Sequence, residues 1–212
     1  MIVIDLSRVI EETMPVYPGA EPPRIADVST IARAGYAEKS LSLYSHTGTH
    51  LDAPGHVLEG APRLDEVRAG QFIGPGRVLD VSAFRGRTVE VADLEKRGTD
   101  LREGDYVLLH SGWARFWGDN RYYVGYPVLS EPAARWLTRF RLRGIGVDMI
   151  SVDSLGSTAM ANHRIFLENK MTIVENLTGL EALIGKSFLF SCLPLKLAAA
   201  DGSPVRAVAI LL

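Results

Sequence analysis

Residues 46–56 read HTGTHLDAPGH and place three of the five histidines of this 212-residue chain, with one aspartate, within eleven positions. Imidazole nitrogens and carboxylate oxygens are the donors that Zn²⁺ and Mn²⁺ sites use. The alternating sequence SLSLYS at residues 40–45 predicts a strand that leads into this segment. Side chains two positions apart share one face of a strand, so His46, His50 and Asp52 would point the same way. The spacing therefore predicts a metal site with these three ligands.

The residues between these ligands favour the same interpretation. Gly48 disfavours a helix and, on the ligand face, leaves room for an ion. Pro54 would end any helix, and with Gly55 it turns the chain, which could bring His56 back towards the cluster without making it a ligand. The alternative is a polar strand edge with a few solvated histidines. A single histidine would fit that alternative, whereas three histidines and an aspartate at this spacing favour the metal site.

The pattern His-x-Gly-Thr-His-x-Asp-x-Pro-x-His resembles the signature of the metal-dependent cyclase family, which includes bacterial-type kynurenine formamidases and isatin hydrolase. The resemblance continues through PVYPG at residues 15–19, through His163 and Glu175, and through SPVRA at residues 203–207. It covers nearly the whole chain. It implies a swivelling β/β/α fold in a single domain over residues 1–212.

The resemblance also implies a role for each site residue. His46, His50 and Asp52 would bind a first metal ion. Asp52 and Glu175 would bridge to a second ion, which His163 also binds. Two Zn²⁺ ions are the expected cofactor, and Mn²⁺ or Fe²⁺ would suit the same nitrogen and oxygen donors. The sequence leaves open which metal binds and whether one or two ions are held.

Local sequence bears on the last two ligands independently of the family. Glu175 lies in the apolar sequence MTIVENL at residues 171–177, where a carboxylate is rarely buried without a partner or a metal. His163 lies in a predicted helix with apolar neighbours, and taken singly it could be a core histidine with one hydrogen bond. Asn176 follows Glu175 where the formamidases tend to have glycine, so this position is more similar to the broader cyclase family.

Three histidines and two carboxylates around a pair of cations are typical of a hydrolase, because two metals can lower the pKa of a water and polarise a scissile carbonyl. His56 would be the general acid and base, taking a proton from the attacking water and returning it to the leaving nitrogen. In the family, the position of Tyr17 holds an aromatic residue against the substrate. Tyr17 could equally anchor its proline-rich loop, residues 14–23, by packing.

The resemblance implies an arylformamidase-like amidohydrolase that cleaves the C–N bond of a small aryl formamide or cyclic amide. The expected substrate is N-formyl-L-kynurenine of tryptophan degradation, which would give kynurenine and formate. An isatin-like lactam, or another cyclic amide or lactone, is the alternative substrate class. The second class of function is a non-catalytic protein that binds metal or a small ligand. His56 argues against it, since a purely structural site needs no free acid–base group beside it.

Composition limits the partners and the compartment. The formal net charge is −2 and no basic run occurs, so neither nucleic acid nor a membrane is an expected partner. No apolar stretch reaches transmembrane length, and the N-terminus reads as a strand rather than a signal peptide. The single Cys192 is expected in the core and fits a cytoplasmic location. The expected partners are a small-molecule substrate and, from the resemblance, further copies of the chain in a homodimer or larger, with the Tyr17 loop reaching a neighbour's pocket.

Hydrophobic patterning predicts an α+β, strand-rich domain. Strands are predicted over residues 2–6, 39–47, 77–82, 105–110, 144–150, 171–176, 187–197 and 205–212. Helices are predicted after the N-cap Ser130 up to Gly144, over residues 158–168 before Asn169, and over residues 92–97 before Gly98. Long strands adjoin one another near the C-terminus, which favours mixed or antiparallel layering over a regular doubly wound sheet.

Other motifs are absent or structural. No Gly-x-Ser-x-Gly elbow occurs, and neither a Walker nor a Rossmann fingerprint is present, so a serine hydrolase or a nucleotide-binding protein has no support. His110 follows a predicted strand and is interpreted as a structural or supporting residue. Asp148 and Asp153 flank the sequence MISV and are interpreted as turn or hydrogen-bonding residues, in a region that could line the site.

Overall fold

The chain forms many short strands and few α-helices, as its apolar, β-branched runs predict. The computed structural model describes residues 1–97 and 100–211. Within them the strands are β1 (Ile2–Asp5), β2 (Arg24–Ser29), β3 (Glu38–Ser42), β4 (His50–Asp52), β5 (Ile73–Asp80), β6 (Thr88–Val89), β7 (Tyr106–His110), β8 (Val128–Leu129), β9 (Gly144–Val147), β10 (Thr172–Glu175), β11 (Phe188–Ser191), β12 (Gly202–Pro204) and β13 (Val208–Leu211).

Short α-helices and single 3-10 turns connect these strands. The α-helices in the described residues are α1 (Ile31–Ala34), α2 (Val91–Glu95), α3 (Glu131–Thr138) and α4 (Ala161–Glu168). The predicted cap of α3 is confirmed, because Ser130 Oγ accepts a hydrogen bond from the Ala133 amide at 3.3 Å. No helix built from residues 1–97 and 100–211 has both the length and the apolar character needed to span a bilayer.

The predicted helix ends need correction. α3 stops at Thr138 rather than at Gly144, because Arg141 takes a left-handed φ of 51° and turns the chain. Gly144 instead begins β9, where a Cβ atom would lie 2.5 Å from the Tyr106 ring. α4 begins late for a similar reason, since Met160 just before it has a φ of 45°. The predicted stop of the second helix at Asn169 is confirmed.

α2 begins and ends earlier than the predicted residues 92–97, and its predicted stop, Gly98, lies outside the described residues. The predicted C-terminal strand, residues 205–212, is shortened to β13, and its last residue, Leu212, also lies outside them. The short strands β2, β6, β8 and β12 were not predicted. β12 lies at the edge of the main sheet, and the other three lie in two-stranded ribbons. These positions require little apolar patterning.

Nine of the described strands form one mixed sheet in the order β1-β13-β11-β5-β7-β9-β10-β4-β12. Its middle strands β5, β7, β9 and β10 run parallel, and their outer neighbours pair antiparallel. This order confirms the predicted α+β layering. β1 pairs with β13, so both ends of the chain lie in one sheet, as a single domain over residues 1–212 would require. That domain assignment stays a prediction.

The central strand β7 shows how the sheet is buried on both faces. Val107 and Leu109 join one hydrophobic cluster with side chains of α3 and α4, whereas Tyr106 and Leu108 join a second cluster. The alternation is the period of two of an extended chain. Cys192 lies fully buried in the second cluster, where burial raises the pKa of its thiol to about 12. Its predicted core position is confirmed.

The segment before the histidine motif departs from its predicted strand. β3 ends at Ser42 and pairs with β2 in a separate hairpin, so the strand predicted over residues 39–47 is wrong in its second half. Residues 43–49 form a loop in which Gly48 has a left-handed φ of 65°, a conformation that an extended strand does not contain. His50 and Asp52 therefore share a strand, whereas His46 reaches the site from the loop.

Candidate active site

Two neighbouring strands and one helix bring four of the predicted ligands together. β4 supplies His50 and Asp52, β10 supplies Glu175 directly opposite His50, and α4 supplies His163. His50 Nε2 lies 3.4 Å from Asp52 Oδ1 and 3.5 Å from Glu175 Oε2. His163 Nε2 lies 3.6 Å from Asp52 Oδ2 and 3.4 Å from Glu175 Oε1. Each carboxylate thus turns one oxygen towards each histidine.

His46, the fifth predicted ligand, joins this group from the loop. Its Nδ1 lies 2.8 Å from Asp52 Oδ1, the same oxygen that faces His50. The structure therefore brings all five predicted ligands together, although only His50 and Asp52 share a strand face as predicted. Their roles as ligands stay predictions.

The outer ring nitrogens of these histidines are each held by an acceptor. His50 Nδ1 donates to the Gly48 carbonyl at 2.8 Å, and His163 Nδ1 donates to Asp153 Oδ2 at 2.7 Å. His46 Nε2 donates to Asp201 Oδ2 at 3.0 Å. A ring whose outer nitrogen carries the proton presents a lone pair on its inner nitrogen, as metal-binding histidines do.

The backbone at Gly48 is part of this support. Its carbonyl also accepts a hydrogen bond from the Asn176 side-chain amide at 2.8 Å. A Cβ atom on Gly48 would lie 3.2 Å from the Met14 side chain, so a side chain there would point towards Met14. The predicted role of Gly48 in leaving room for an ion stays a prediction. Asn176 itself takes a left-handed φ of 60°, which ends β10 directly after Glu175.

The donor set fits a divalent cation. His50, Asp52 and Glu175 offer ligand atoms that all lie within 4.8 Å of one another, and His46, Asp52 and His56 form a second such group. Asp52 Oδ2 is buried and has no hydrogen-bond partner among the described residues. A buried carboxylate oxygen without a donor is costly, and a cation at this position would satisfy it. The donors are nitrogen and oxygen without thiolate, which suits Zn²⁺, Mn²⁺ or Fe²⁺.

Without a cation, two histidines of the cluster bind protons more tightly than free imidazoles do. Burial opposes protonation of His46, but Asp52 and Asp201 outweigh it and raise the pKa of His46 to about 9. Burial also opposes protonation of His163, but hydrogen bonds to Asp153 and Glu175 raise its pKa to about 10. Burial acts to raise the pKa of Asp52, yet the three surrounding histidines hold it well below its ordinary value. The cluster is therefore built to hold positive charge.

His56 lies on the turn Pro54–His56, and the structure places it beside the cluster, where the predicted turn would bring it. Its ring packs against that of His46 with centroids 4.1 Å apart and a tilt of 39°, and its Nδ1 lies 3.3 Å from Asp201 Oδ2. Burial lowers the pKa of His56, and the charge of His46 acts in the same direction against the pull of Asp52. A neutral imidazole at neutral pH is able to accept a proton.

Sequence reasoning missed Asp201, which contacts both His46 and His56. The residue precedes β12 and the SPVRA sequence, and an acidic residue next to a glycine at that motif was the available signal. Asp153 is the second supporting carboxylate, and its predicted hydrogen-bonding role is confirmed by its bonds to His163 and to the Asn162 amide.

The cluster lies at one side of a cavity of about 340 Å³, a size that suits a small molecule. Tyr17, a residue that is 47% exposed, contributes to its wall. Its hydroxyl accepts a hydrogen bond from the Gly156 amide at 3.1 Å. Tyr17 thus both anchors its loop and lines the cavity. The other lining residues include Pro15, Val16, His56, Ile150, Ser154, Ser157, Met160 and Asn176, and no lysine or arginine is found in the described part of the wall.

His110 and Asp148 lie outside this cluster. Asp148 accepts hydrogen bonds from the amides of Ser111 and Gly112 at 2.9 Å and so holds the turn after β7. His110 Nδ1 lies 3.5 Å from Asp148 Oδ2, and this contact raises the pKa of His110. These contacts show the predicted hydrogen bonding of Asp148, whereas the structural role of His110 stays a prediction.

The chain belongs to the Cyclase family, whose model matches residues 4–154. It is 31% identical over 206 residues to a kynurenine formamidase of Geobacillus thermodenitrificans, covering 96% of this chain and 95% of the relative. Its fold matches isatin hydrolase A from Ralstonia solanacearum with a TM-score of 0.89 and 24% identity, over 98% of this chain and 91% of the other. It also matches a predicted metal-dependent hydrolase from Bacillus stearothermophilus with a TM-score of 0.81 and 25% identity, over 98% and 97% of the two chains. The predicted cyclase-like fold is confirmed.

Proposed function

We propose that this protein is a metal-dependent hydrolase that cleaves the C–N bond of a small aryl formamide or cyclic amide. The observation that carries this proposal is the convergence of five candidate metal-binding side chains at the wall of a small cavity, with the acid–base candidate His56 beside them. The kynurenine formamidase and isatin hydrolase relatives act on substrates of this kind, as their names state.

His46, His50 and Asp52 would hold one metal ion, and His163, Asp52 and Glu175 a second. Support for two ions comes from the carboxylates, each of which turns one oxygen to His50 and the other to His163. Zn²⁺ is the proposed metal and Mn²⁺ the alternative. When bound, such ions supply Lewis acidity, which lowers the pKa of a water and polarises a carbonyl.

The protein's own residues would supply proton transfer and orientation. His56 donates its Nδ1 proton to Asp201 and leaves Nε2, which has no hydrogen-bond partner within residues 1–97 and 100–211. This nitrogen would take a proton from the nucleophile and return it to the leaving nitrogen, since an expelled amide nitrogen must be protonated. Tyr17 would hold an aromatic substrate ring against the apolar wall.

N-formyl-L-kynurenine is the proposed substrate, on the similarity to kynurenine formamidases. One observation favours a second candidate, an isatin-like lactam. The described cavity wall offers no lysine or arginine to pair with the carboxylate that formylkynurenine carries, and an unpaired carboxylate is costly to bury. A neutral bicyclic lactam has no such charge to satisfy.

Metal-stripped protein reloaded with Zn²⁺ or Mn²⁺ and assayed separately on N-formyl-L-kynurenine and isatin tests this proposal. Turnover on the order of 1 s⁻¹ or faster, restored by metal and lost in His50→Ala, is expected. His110→Gln is the matched control, because this histidine lies outside the cluster. A preference for isatin would assign the lactam substrate. Tight metal binding without turnover of either compound would favour a non-catalytic metal-binding protein.

We also propose a homodimer or larger assembly in the cytoplasm. The β2–β3 hairpin exposes Val28 and Leu41, α1 between the two strands exposes Ile31, and the loop after β3 exposes Tyr44. An apolar surface of this kind is typical of an interface between copies. Sedimentation of the protein as an active monomer would contradict the assembly. The lone, buried Cys192 suits a reducing compartment, which cell fractionation tests.

A further inference from the structure

We infer that Asp201 is a positioning residue that fixes the proton positions of two imidazoles at once, the metal-ligand candidate His46 and the acid–base candidate His56. The inference deepens the proposed function and rests on it. One oxygen, Asp201 Oδ2, lies 3.0 Å from His46 Nε2 and 3.3 Å from His56 Nδ1. An ionised carboxylate only accepts hydrogen bonds, so both ring nitrogens carry their protons on the side of Asp201.

The consequence differs for the two rings. His46 Nδ1 lies 2.8 Å from Asp52 Oδ1 inside the cluster. In the metal-loaded protein, the proton kept on Nε2 would leave the Nδ1 lone pair for the ion. In His56 the proton on Nδ1 leaves the lone pair on Nε2, which would face the reacting atoms. The two ring centroids lie 4.1 Å apart, so a single carboxylate can reach both rings. Asp201 would thus orient both the ligand candidate His46 and the acid–base candidate His56.

The fold holds Asp201 in register with the cluster. The Asp201 carbonyl accepts a hydrogen bond from the Ala53 amide at 2.9 Å, and the next residue, Gly202, pairs with Asp52 across the β12–β4 ladder. A Cβ atom on Gly202 would lie 2.6 Å from His46 Cε1 and 3.0 Å from the Leu51 carbonyl. Only glycine there lets the backbone that carries Asp201 approach the imidazole this closely.

Two other aspartates make the test selective. Asp153 holds the outer nitrogen of His163 at 2.7 Å and contacts neither His46 nor His56 among the hydrogen bonds of the described residues. Asp65 accepts a hydrogen bond from the Ala199 amide at 3.1 Å, on the same loop as Asp201, but touches no imidazole. Asp→Asn substitutions at the three positions therefore test three different roles. Asp201→Asn affects both His46 and His56, Asp153→Asn affects His163 alone, and Asp65→Asn affects only the loop that carries Asp201.

The experiment uses the Zn²⁺-loaded protein and two measurements that need no substrate. Zinc affinity is measured by competition with a chromophoric chelator, and long-range ¹H–¹⁵N correlation spectra report which ring nitrogen of His56 carries the proton. In the wild type, His56 is expected as the Nδ1–H tautomer. Asp201→Asn is expected to weaken zinc binding roughly 10- to 100-fold and to mix the His56 tautomers. Asp153→Asn should weaken zinc binding only, and Asp65→Asn should change neither.

An unchanged His56 tautomer in Asp201→Asn would overturn the role at His56, and zinc affinity within about twofold of wild type would overturn the role at His46. Both results decide the inference even if no amide is hydrolysed, so its failure is distinct from failure of the proposed function. With an active substrate, Asp201→Asn should lower kcat at saturating Zn²⁺ more than it changes KM. If this variant folds poorly, Asp201→Glu keeps the charge, displaces the oxygen by one methylene and is read by the same two measurements.

Discussion

The two halves of the candidate site differ in how the fold holds them. In the inner half, the side chains of His50, Asp52, His163 and Glu175 come from strands and a helix and are at most 7% exposed. In the outer half, His46, His56 and Asp201 come from loops and turns and are 23% to 36% exposed. The difference indicates a division of labour: rigid, dry geometry suits ion binding, whereas access to the cavity suits proton transfer to a substrate.

The largest expected effect tests the inner half. Asp52 contacts histidines on both sides with its two oxygens, so Asp52→Asn should abolish binding of both proposed ions and reduce turnover by roughly 100-fold or more. Metal content by elemental analysis and turnover on the active substrate check this expectation. Asp27→Asn, at an exposed ion pair, is the control. Full metal content in Asp52→Asn would remove its bridging role.

The next effect tests the outer half. His56→Ala should retain metal and lower kcat by roughly 10²-fold or more, because proton transfer to the leaving nitrogen is lost. Metal analysis and steady-state kinetics separate the two properties. If the variant loses metal instead, His56 is a ligand, an outcome that its position in the second donor group with His46 and Asp52 would explain. The proposed division between the two halves would then be wrong.

A third prediction concerns pH and tests whether protons replace the metal in both halves. The pKa values of about 9 for His46 and about 10 for His163 lie above the ordinary value of 6.5. A raised pKa stabilises the folded state fully below pH 6.5, and this contribution is lost as pH rises through the folded values. The free energy of unfolding of metal-free protein, measured with denaturant, should therefore fall between about pH 7 and 10.

The same shifts predict that zinc binding at pH 7.5 releases protons from His46 and His163. Calorimetric titrations in two buffers with different ionisation enthalpies measure the number of protons released per protein, which is expected to be about two. Zinc-loaded protein should not show the fall in stability above pH 7, because its ligand nitrogens carry no proton to lose. Proton release near zero would show that these histidines are neutral before the metal binds.

The smallest expected effect lies at the cavity wall. Tyr17→Phe removes the hydroxyl that accepts from the Gly156 amide but keeps the ring, so we expect a loss of about 1 kcal/mol in holding the loop. KM should rise a few-fold with kcat nearly unchanged. Tyr36→Phe, on an exposed tyrosine, controls for loss of a hydroxyl. A large loss of kcat would place Tyr17 closer to the chemistry than a wall residue.

Local sequence patterns predicted the strands whose side chains alternate between two buried faces and the helix that begins at a recognisable N-cap residue. The alternation in β7 and the Ser130 cap of α3 follow from side-chain periodicity and from hydrogen bonding within four residues. The predicted strand through residues 43–47 failed, although its polar–apolar alternation was regular. β3 forms only a two-stranded ribbon with β2, and the positive φ of Gly48 is incompatible with continuing the strand to the histidines.

The sequence by itself determined the types of the candidate ligands in HTGTHLDAPGH and their spacing. His50 and Asp52 lie two positions apart on one strand, and His56 follows the turn that Pro54 and Gly55 impose. Only the tertiary structure decided which distant groups orient them. Asp201 contacts His46 across 155 positions of sequence. Asp153 is nearer in sequence, but it contacts His163 only because the chain turns back onto the start of α4. Such contacts arise from antiparallel pairing of β12 with β4 and from helix packing on the sheet. Strand order and packing are global properties, and no local spacing encodes them.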